Sequence, residues 1–576
     1  MVEFQGDSRP TPNFFVRALL RHYGNTELVR SESEVLADEW IFGGCMRFRR
    51  AYVVPVAVLT QFCCGSLYAW SVLNKPIDSL IYGNEKANMA SITFFISVGC
   101  FGFSAALFGP WIERSSPRRP CTVGALLFLI GNLISALALG LKQIWLLYIG
   151  YGIIGSAGLG VSYVATTSLV QKWYPTARGL AAGFAVCGFG GGSLAFTKVR
   201  VTIYNSTSLW AMMLIEASIF GVIMLLGAQF LRPPPPHYNT AGLALVEDDK
   251  GRVQRAFMPG KQRLQEDTEQ GVDGFNDERP VVKITLIQAV TSRDYWVLYF
   301  VFFCNQFFGL VVISRLSNMA QDLFYSNANS SQYVEDKREQ ESKGSTLVVL
   351  IGLFNAFGRL FIAALSDWLG RKNTFVLMLG SQIALIIGLS LAIRNNIYWA
   401  FLMCSWMATF MYGGGFGTIP AFLADMFGPS NVSSCHGLIL TAWSIGGVVG
   451  GLAYTAIFNK MVDSGRHLND PAIYTDNLIW ILVIMCLGFL LMPFLRAKLR
   501  DRLFPEADNQ LFRARVFGRI VRVTTKPLKI EMLSKIEEDT EWEEFMMMAI
   551  IRMRMMRQSG PSNTYDENTS LRMTRG

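Results

Sequence analysis

Between residues 51 and 496, long apolar runs alternate with short polar breaks. The runs cover about 51–73, 88–112, 120–140, 143–171, 178–199, 209–231, 293–321, 345–367, 373–393, 397–427, 435–458 and 474–496. A run of roughly 18 residues or more with few charges is long enough to cross a bilayer as a helix. The pattern predicts an all-α membrane protein with 12 transmembrane helices. The polar remainder divides the chain into an N-terminal arm (1–50), a six-helix half (51–231), a linker (232–292), a second six-helix half (293–496) and a charged tail (497–576). Pro233 to Pro236 stop the sixth helix, since proline lacks the amide a helix needs. In the tail, the Met- and Glu-rich stretch from Trp542 to Met556 reads as an amphipathic helix, solvated or on a membrane surface.

Charge decides the orientation. Only 16% of the residues are charged, against about 25% in a soluble protein, and the mean hydropathy is +0.31. The net charge of +9 is not gathered in one arm or on one face, so no nucleic-acid partner is expected. The basic residues collect in alternate loops: Arg47, Arg49 and Arg50; Arg118 and Arg119; Lys250 to Arg263; Arg371 and Lys372. Loops rich in Lys and Arg stay on the cytoplasmic side, which predicts that both termini, the linker and the basic turns are cytoplasmic. A plasma membrane is expected, with an organelle membrane as the alternative. The ten cysteines have neither metal-ligand spacing nor a secreted disulfide framework. Residues 1–50 lack the apolar core of a cleavable signal. No metal and no cofactor are expected.

The two halves repeat. Glu113, in a basic turn with Arg114, corresponds to Asp367, in a basic turn with Arg371 and Lys372. Arg178-Gly179-Leu180 corresponds to His436-Gly437-Leu438. A duplicated six-helix half with a loose central loop is the mark of a two-bundle transporter. Glycines crowd the fifth and eleventh runs (Gly183, Gly188 and Gly190; Gly446, Gly447 and Gly450), and small residues let membrane helices approach closely.

Two ionisable residues lie inside apolar runs. Arg359 precedes Asp367 by eight residues, which places it about 12 Å further along a helix. A cation at that depth is costly and marks a functional site. Glu216 lies within the sixth helix, either as a candidate for proton coupling or as a hydrogen-bonding partner of a neighbouring helix.

The turn Asp367-Trp-Leu-Gly370-Arg371-Lys372, with its degenerate partner at Glu113, resembles the cytoplasmic loop motif of the major facilitator superfamily. Further stretches narrow the likeness: Leu67-Tyr68-Ala69-Trp70-Ser71, Lys172-Trp173-Tyr174-Pro175 continuing to Arg178-Gly179-Leu180, and Gly413-Gly-Gly415-Phe416 continuing to Asp425 and Trp443. Together they resemble the oxalate/formate antiporter family, a relative of the monocarboxylate porters. The resemblance implies a substrate-binding arginine at Arg359 and a site lined by aromatics. Tyr412, Phe416, Tyr68 and Tyr163 hold the matching positions, and Tyr412 and Phe416, four apart, share a helix face. It also implies a gating role for the turn residues Glu113, Arg114, Asp367, Arg371 and Lys372.

The chain departs from the family where charge matters. The oxalate-exchanging member has a lysine in helix 11; here Trp443 holds that site. The monocarboxylate porters have a lysine in helix 1 and an acid four residues before the helix 8 arginine; residues 51–73 have no lysine, and Asn355 replaces the acid. Arg315 counts out near the outer rim. The expected function is secondary transport of a small carboxylate by alternating access. Formate, lactate or pyruvate is favoured over oxalate, with a proton or counter-anion as co-substrate. The alternatives are a permease for another small solute, such as an amino acid, or a membrane receptor or scaffold. No nucleophile–base pair or nucleotide loop suggests an enzyme.

Overall fold

A computed structural model describes residues 21–24, 28–84, 87, 89–235, 284–313, 315–324, 333–466, 470–497, 501–502, 504, 509–516 and 519–558. Twelve long helices follow one another, because in hydrocarbon a helix satisfies its own backbone polar groups. They are α1 (Arg50–Tyr82), α2 (Met89–Arg114), α3 (Arg118–Gly140), α4 (Ile144–Trp173), α5 (Arg178–Ser206) and α6 (Leu209–Ala228). The second half supplies α7 (Arg293–Ile313), α8 (Tyr333–Leu369), α9 (Arg371–Arg394), α10 (Tyr398–Phe427), α11 (Val432–Asp463) and α12 (Pro471–Leu491). Among the described residues 11 helices are long and apolar enough to cross a membrane on composition alone. The twelfth, α10, has the length, but its glycines, hydroxyls and indole rings dilute its apolar character.

Several helix ends differ from those the apolar pattern suggests. α1 continues to Tyr82 because Asp78, past the apolar run, is buried and accepts a 2.9 Å bond from the Ala90 amide at the start of α2. The seventh run breaks after Ile313, and a separate short helix spans Leu316–Phe324. α5 runs past residue 199 to Ser206, which brings Arg200 inside the helix.

Across the middle of the membrane unit, α2 packs along α11 and α5 packs along α8. Exchanging the halves converts one pair into the other, the signature of a two-fold related pair of six-helix bundles. Glycine permits these contacts: a Cβ on Gly190 of α5 would stand 2.7 Å from the Ala356 Cα of α8, and one on Gly437 of α11 would stand 2.0 Å from the Ala105 carbonyl oxygen of α2. No side chain fits either gap.

The N-terminal arm includes a two-residue hairpin, β1 (Trp40–Ile41) and β2 (Met46–Arg47). Residues from 490 onward belong to a second compact unit. It holds a three-stranded antiparallel sheet, β3 (Gln510–Val516), β4 (Arg519–Thr525) and β5 (Leu528–Met532), and a helix α13 (Lys535–Gln558). Its small core is Phe504, Ile520 and Leu533, with Trp542 of α13 packed against them. The apolar pattern anticipates this helix but not the sheet.

Candidate transport site

Arg359 lies in the apolar middle of α8 and is 1% exposed. Its Nε donates to the Asn355 Oδ1 one turn away at 2.7 Å. Its guanidinium carbon stands 4.9 Å from the Phe189 ring centroid of α5 and 4.6 Å from that of Phe416 on α10. One bundle supplies each ring, and ring faces attract a cation most strongly when water is excluded. Among the described residues no carboxylate lies within ion-pairing distance of Arg359, and its Nη1 has no hydrogen-bond partner.

Around the arginine the chain gathers aromatics from six other helices. Tyr68 of α1 and Tyr412 of α10 share a hydrogen bond between their hydroxyls at 2.8 Å, across the bundle boundary. The Trp443 indole of α11 donates to the Tyr412 hydroxyl at 3.2 Å. Phe101 of α2 lies 5.4 Å, ring to ring, from both Tyr163 of α4 and Trp443. With Tyr68, Phe189, Arg359 and Phe416 these residues enclose a cavity of about 10 Å³, the room of about one water. Any solute with a carbon chain must part these walls. The Tyr163 hydroxyl, also buried, has no partner among the described residues.

Arg359, Tyr68, Tyr163, Tyr412, Phe416 and Trp443, each singled out from the sequence, thus surround one point. Phe101 and Phe189 were not singled out. As apolar residues in apolar helices they carry no signal of their own. A larger cavity, of about 150 Å³, lies elsewhere, under the N-terminal arm, and includes Arg30, Glu113 and Lys172 but not Arg359.

The basic turns sit on one face and tie the bundles together there. Asp367 accepts the amides of Gly179 and Leu180 at 3.0 and 2.7 Å, so a carboxylate of one bundle caps the N-terminus of α5 in the other. A helix N-terminus carries partial positive charge and unpaired N–H groups, and an anion satisfies both. Arg371 pairs with Asp367 at 2.5 Å and with Asp425 at 2.9 Å, while Arg178 reaches Asp425 from the first bundle at 2.9 Å. Glu113 does the same in the other direction: it accepts the Ser433 amide at the N-terminus of α11 at 2.8 Å and pairs with Lys172. Arg114 turns away from this junction and binds the His22 carbonyl oxygen and ring at 3.2 and 3.1 Å. Lys372 sits in the first turn of α9.

Glu216 is fully buried and paired with Arg200, whose Nε and Nη2 reach its two oxygens at 2.8 and 3.1 Å. Of the two roles open to it from sequence, the geometry is that of a tie between α5 and α6. Arg200 escaped notice because polar neighbours Lys198, Thr202 and Asn205 suggested a helix end at 199. A signal was present: Arg200 and Glu216 stand nearly equally far from the turn at Thr207 and Ser208, so antiparallel helices bring them level. Arg315 donates to the Thr455 hydroxyl at 2.8 Å, away from the central site.

Two bundles related by a two-fold, closing around a polar point at mid-membrane, define a solute transporter. The chain belongs to the Major Facilitator Superfamily, whose family model matches residues 57–451. It is 24% identical to the MFS-type transporter YhjX of Escherichia coli (strain K12), over 68% of this chain and 84% of that one. It is 22% identical to the oxalate:formate antiporter of Oxalobacter formigenes, over 71% and 84%, and 23% identical to apicoplast pyruvate carrier 1 of Toxoplasma gondii, over 75% and 88%. The fold matches that of the proton:xylose symporter XylE with a TM-score of 0.54 at 16% identity, over 78% of this chain and 97% of that one. The protein is therefore an integral multi-pass membrane transporter, not an enzyme.

Proposed function

We propose that this transporter carries small carboxylates, and that Arg359 binds the carboxylate group. The observation that carries the reading is a buried arginine with, among the described residues, an unpartnered Nη1 and no acid beside it, held between two ring faces in an aromatic cage. A planar guanidinium offers a carboxylate two parallel hydrogen bonds. The names of two relatives, an oxalate:formate antiporter and a pyruvate carrier, support the same class of solute. With Trp443 in α11 and no second cation among the described residues that line the cavity, one carboxylate is matched better than two. Monocarboxylates are therefore expected to exceed oxalate.

The gating reading places the two carboxylate caps, Asp367 on α5 and Glu113 on α11, as latches that hold the basic-turn face closed. They release as the bundles rock apart on that side. The excess of Lys and Arg in those turns puts that face in the cytoplasm, with both termini and the linker, and the plasma membrane is the proposed location.

Uptake of labelled formate, lactate, pyruvate, oxalate and several amino acids into proteoliposomes tests the proposal. Saturable uptake of a monocarboxylate is the expected result. Uptake of amino acids alone, or binding with no uptake of any solute, overturns it.

A further inference from the structure

The register of the tail sheet separates two faces. Arg515 pairs with Asp501 and with Glu538 of α13, and Arg522 pairs with Glu541. These residues share their face with buried Ile520, and α13 covers it. Alternation puts Phe512, Val521, Val523, Leu528, Ile530 and Met532 on the other face, where Phe512 stands opposite Val523 and Val523 opposite Ile530. There Leu528, Ile530 and Met532 are 78, 73 and 56% exposed. A sheet face left in water normally carries polar residues, and a bare apolar edge strand invites aggregation.

Two observations identify what covers this face. First, Phe494 lies in the single 3-10 turn (Met492–Phe494) that follows the last membrane helix, and its ring lies tilted, 4.8 Å centroid to centroid, against Phe512 on the apolar side of the sheet. The apolar face is thus tied to the residues that follow α12 in the chain. Second, the sequence that follows carries Arg496, Lys498, Arg500 and Arg502, and the two hairpin tips carry exposed Arg519 and Lys526. Basic clusters next to a membrane helix attract anionic lipid headgroups.

We propose that the tail sheet lies on the bilayer, its Leu528–Ile530–Met532 face seated among anionic lipids. Apolar residues of a surface-bound element enter the headgroup–acyl boundary, and basic residues at the rim meet phosphates. The face opposite, with its Arg–Glu pairs and α13, stays in water.

The test uses the full chain, one copy per lipid nanodisc, with the exposed Cys45 replaced by Ser. A cysteine is introduced in place of either Ile530 or Lys529, neighbours on opposite faces that are both exposed, and is labelled with an environment-sensitive dye. The labelled parent without the added cysteine gives the background. With nitroxide-bearing anionic lipid, the dye at 530 is expected to shift to the blue and be quenched, while the dye at 529 does neither. Quenching at 530 is expected to fall in neutral lipid or high salt. Equal signals at 529 and 530 overturn the proposal. So does a blue shift at 530 that appears only with two copies per disc, which would make the face a dimer contact.

Discussion

Arg359 and Arg200 are both buried arginines in apolar helices, and their surroundings separate them. In each the Nη1 lacks a hydrogen-bond partner among the described residues, but Arg200 has a carboxylate on its other two nitrogens, whereas Arg359 has only an amide oxygen and two ring faces. The first arrangement is closed and the second can take a ligand. A charge-assisted bond in a partly dry site contributes about 1.5–3 kcal/mol. Replacing Arg359 by Gln is therefore expected to weaken carboxylate binding by roughly tenfold to over a hundredfold. Arg359→Lys keeps the charge without the fork and restores only part. Titration of folded protein with the best carboxylate ligand decides this, and equal affinity in wild type and Arg359→Gln removes the residue from the site. For the other pair, Glu216→Gln strands a buried cation, a change that costs about 3–5 kcal/mol. A lower melting temperature is expected, with partial recovery in Arg200→Met/Glu216→Leu. If Glu216→Gln melts like wild type and abolishes uptake driven by a pH gradient, Glu216 is a proton carrier and not a tie. From sequence, Arg359 stood out as a lone cation two turns inside an apolar run. Arg200 did not, because its polar neighbours mimic a helix end.

At the scale of elements, the long apolar runs made the helices legible, and the paired acids in basic turns made the repeat legible. The helix ends were less so, since a buried acid such as Asp78 can extend a helix past its apolar run by binding the next one. The tail sheet was hidden because its strands are short and rich in arginine, and their pairing shows only when register brings the acids of α13 onto Arg515 and Arg522. The junction of α5 with α8 carries its own prediction. Asp367→Asn leaves an acceptor near the Gly179 and Leu180 amides but removes the charge that holds both the helix N-terminus and Arg371. Turnover in proteoliposomes is expected to fall while substrate affinity stays near wild type, because Asp367 lies about 12 Å from Arg359 along α8. A correctly inserted variant with unchanged turnover counts against the latch.

For the whole molecule, orientation is the open quantity, and N-linked sugar reports it. Asn205-Ser-Thr lies in the last turn of α5, on the side opposite the basic turns; Asn329-Ser-Ser, which the order of the apolar runs predicts for the same side, lies outside the described residues. In a glycosylating host Asn329 is expected to carry sugar, Asn205 to be too near the membrane to be used, and Asn431-Val-Ser, beside the latch on α11, to stay bare. Sugar on Asn431 reverses the topology. The latches also set where the protein is vulnerable to mutation. Each joins a side-chain carboxylate to backbone amides, and every residue but proline supplies an amide. Positions 180 and 433 can therefore change side chain and still donate, whereas Gly179 cannot, since a Cβ there would stand 2.4 Å from the Ala363 carbonyl oxygen. Asp367 and Glu113 have no such freedom, so damage to the two latches is concentrated in these carboxylates and in Gly179.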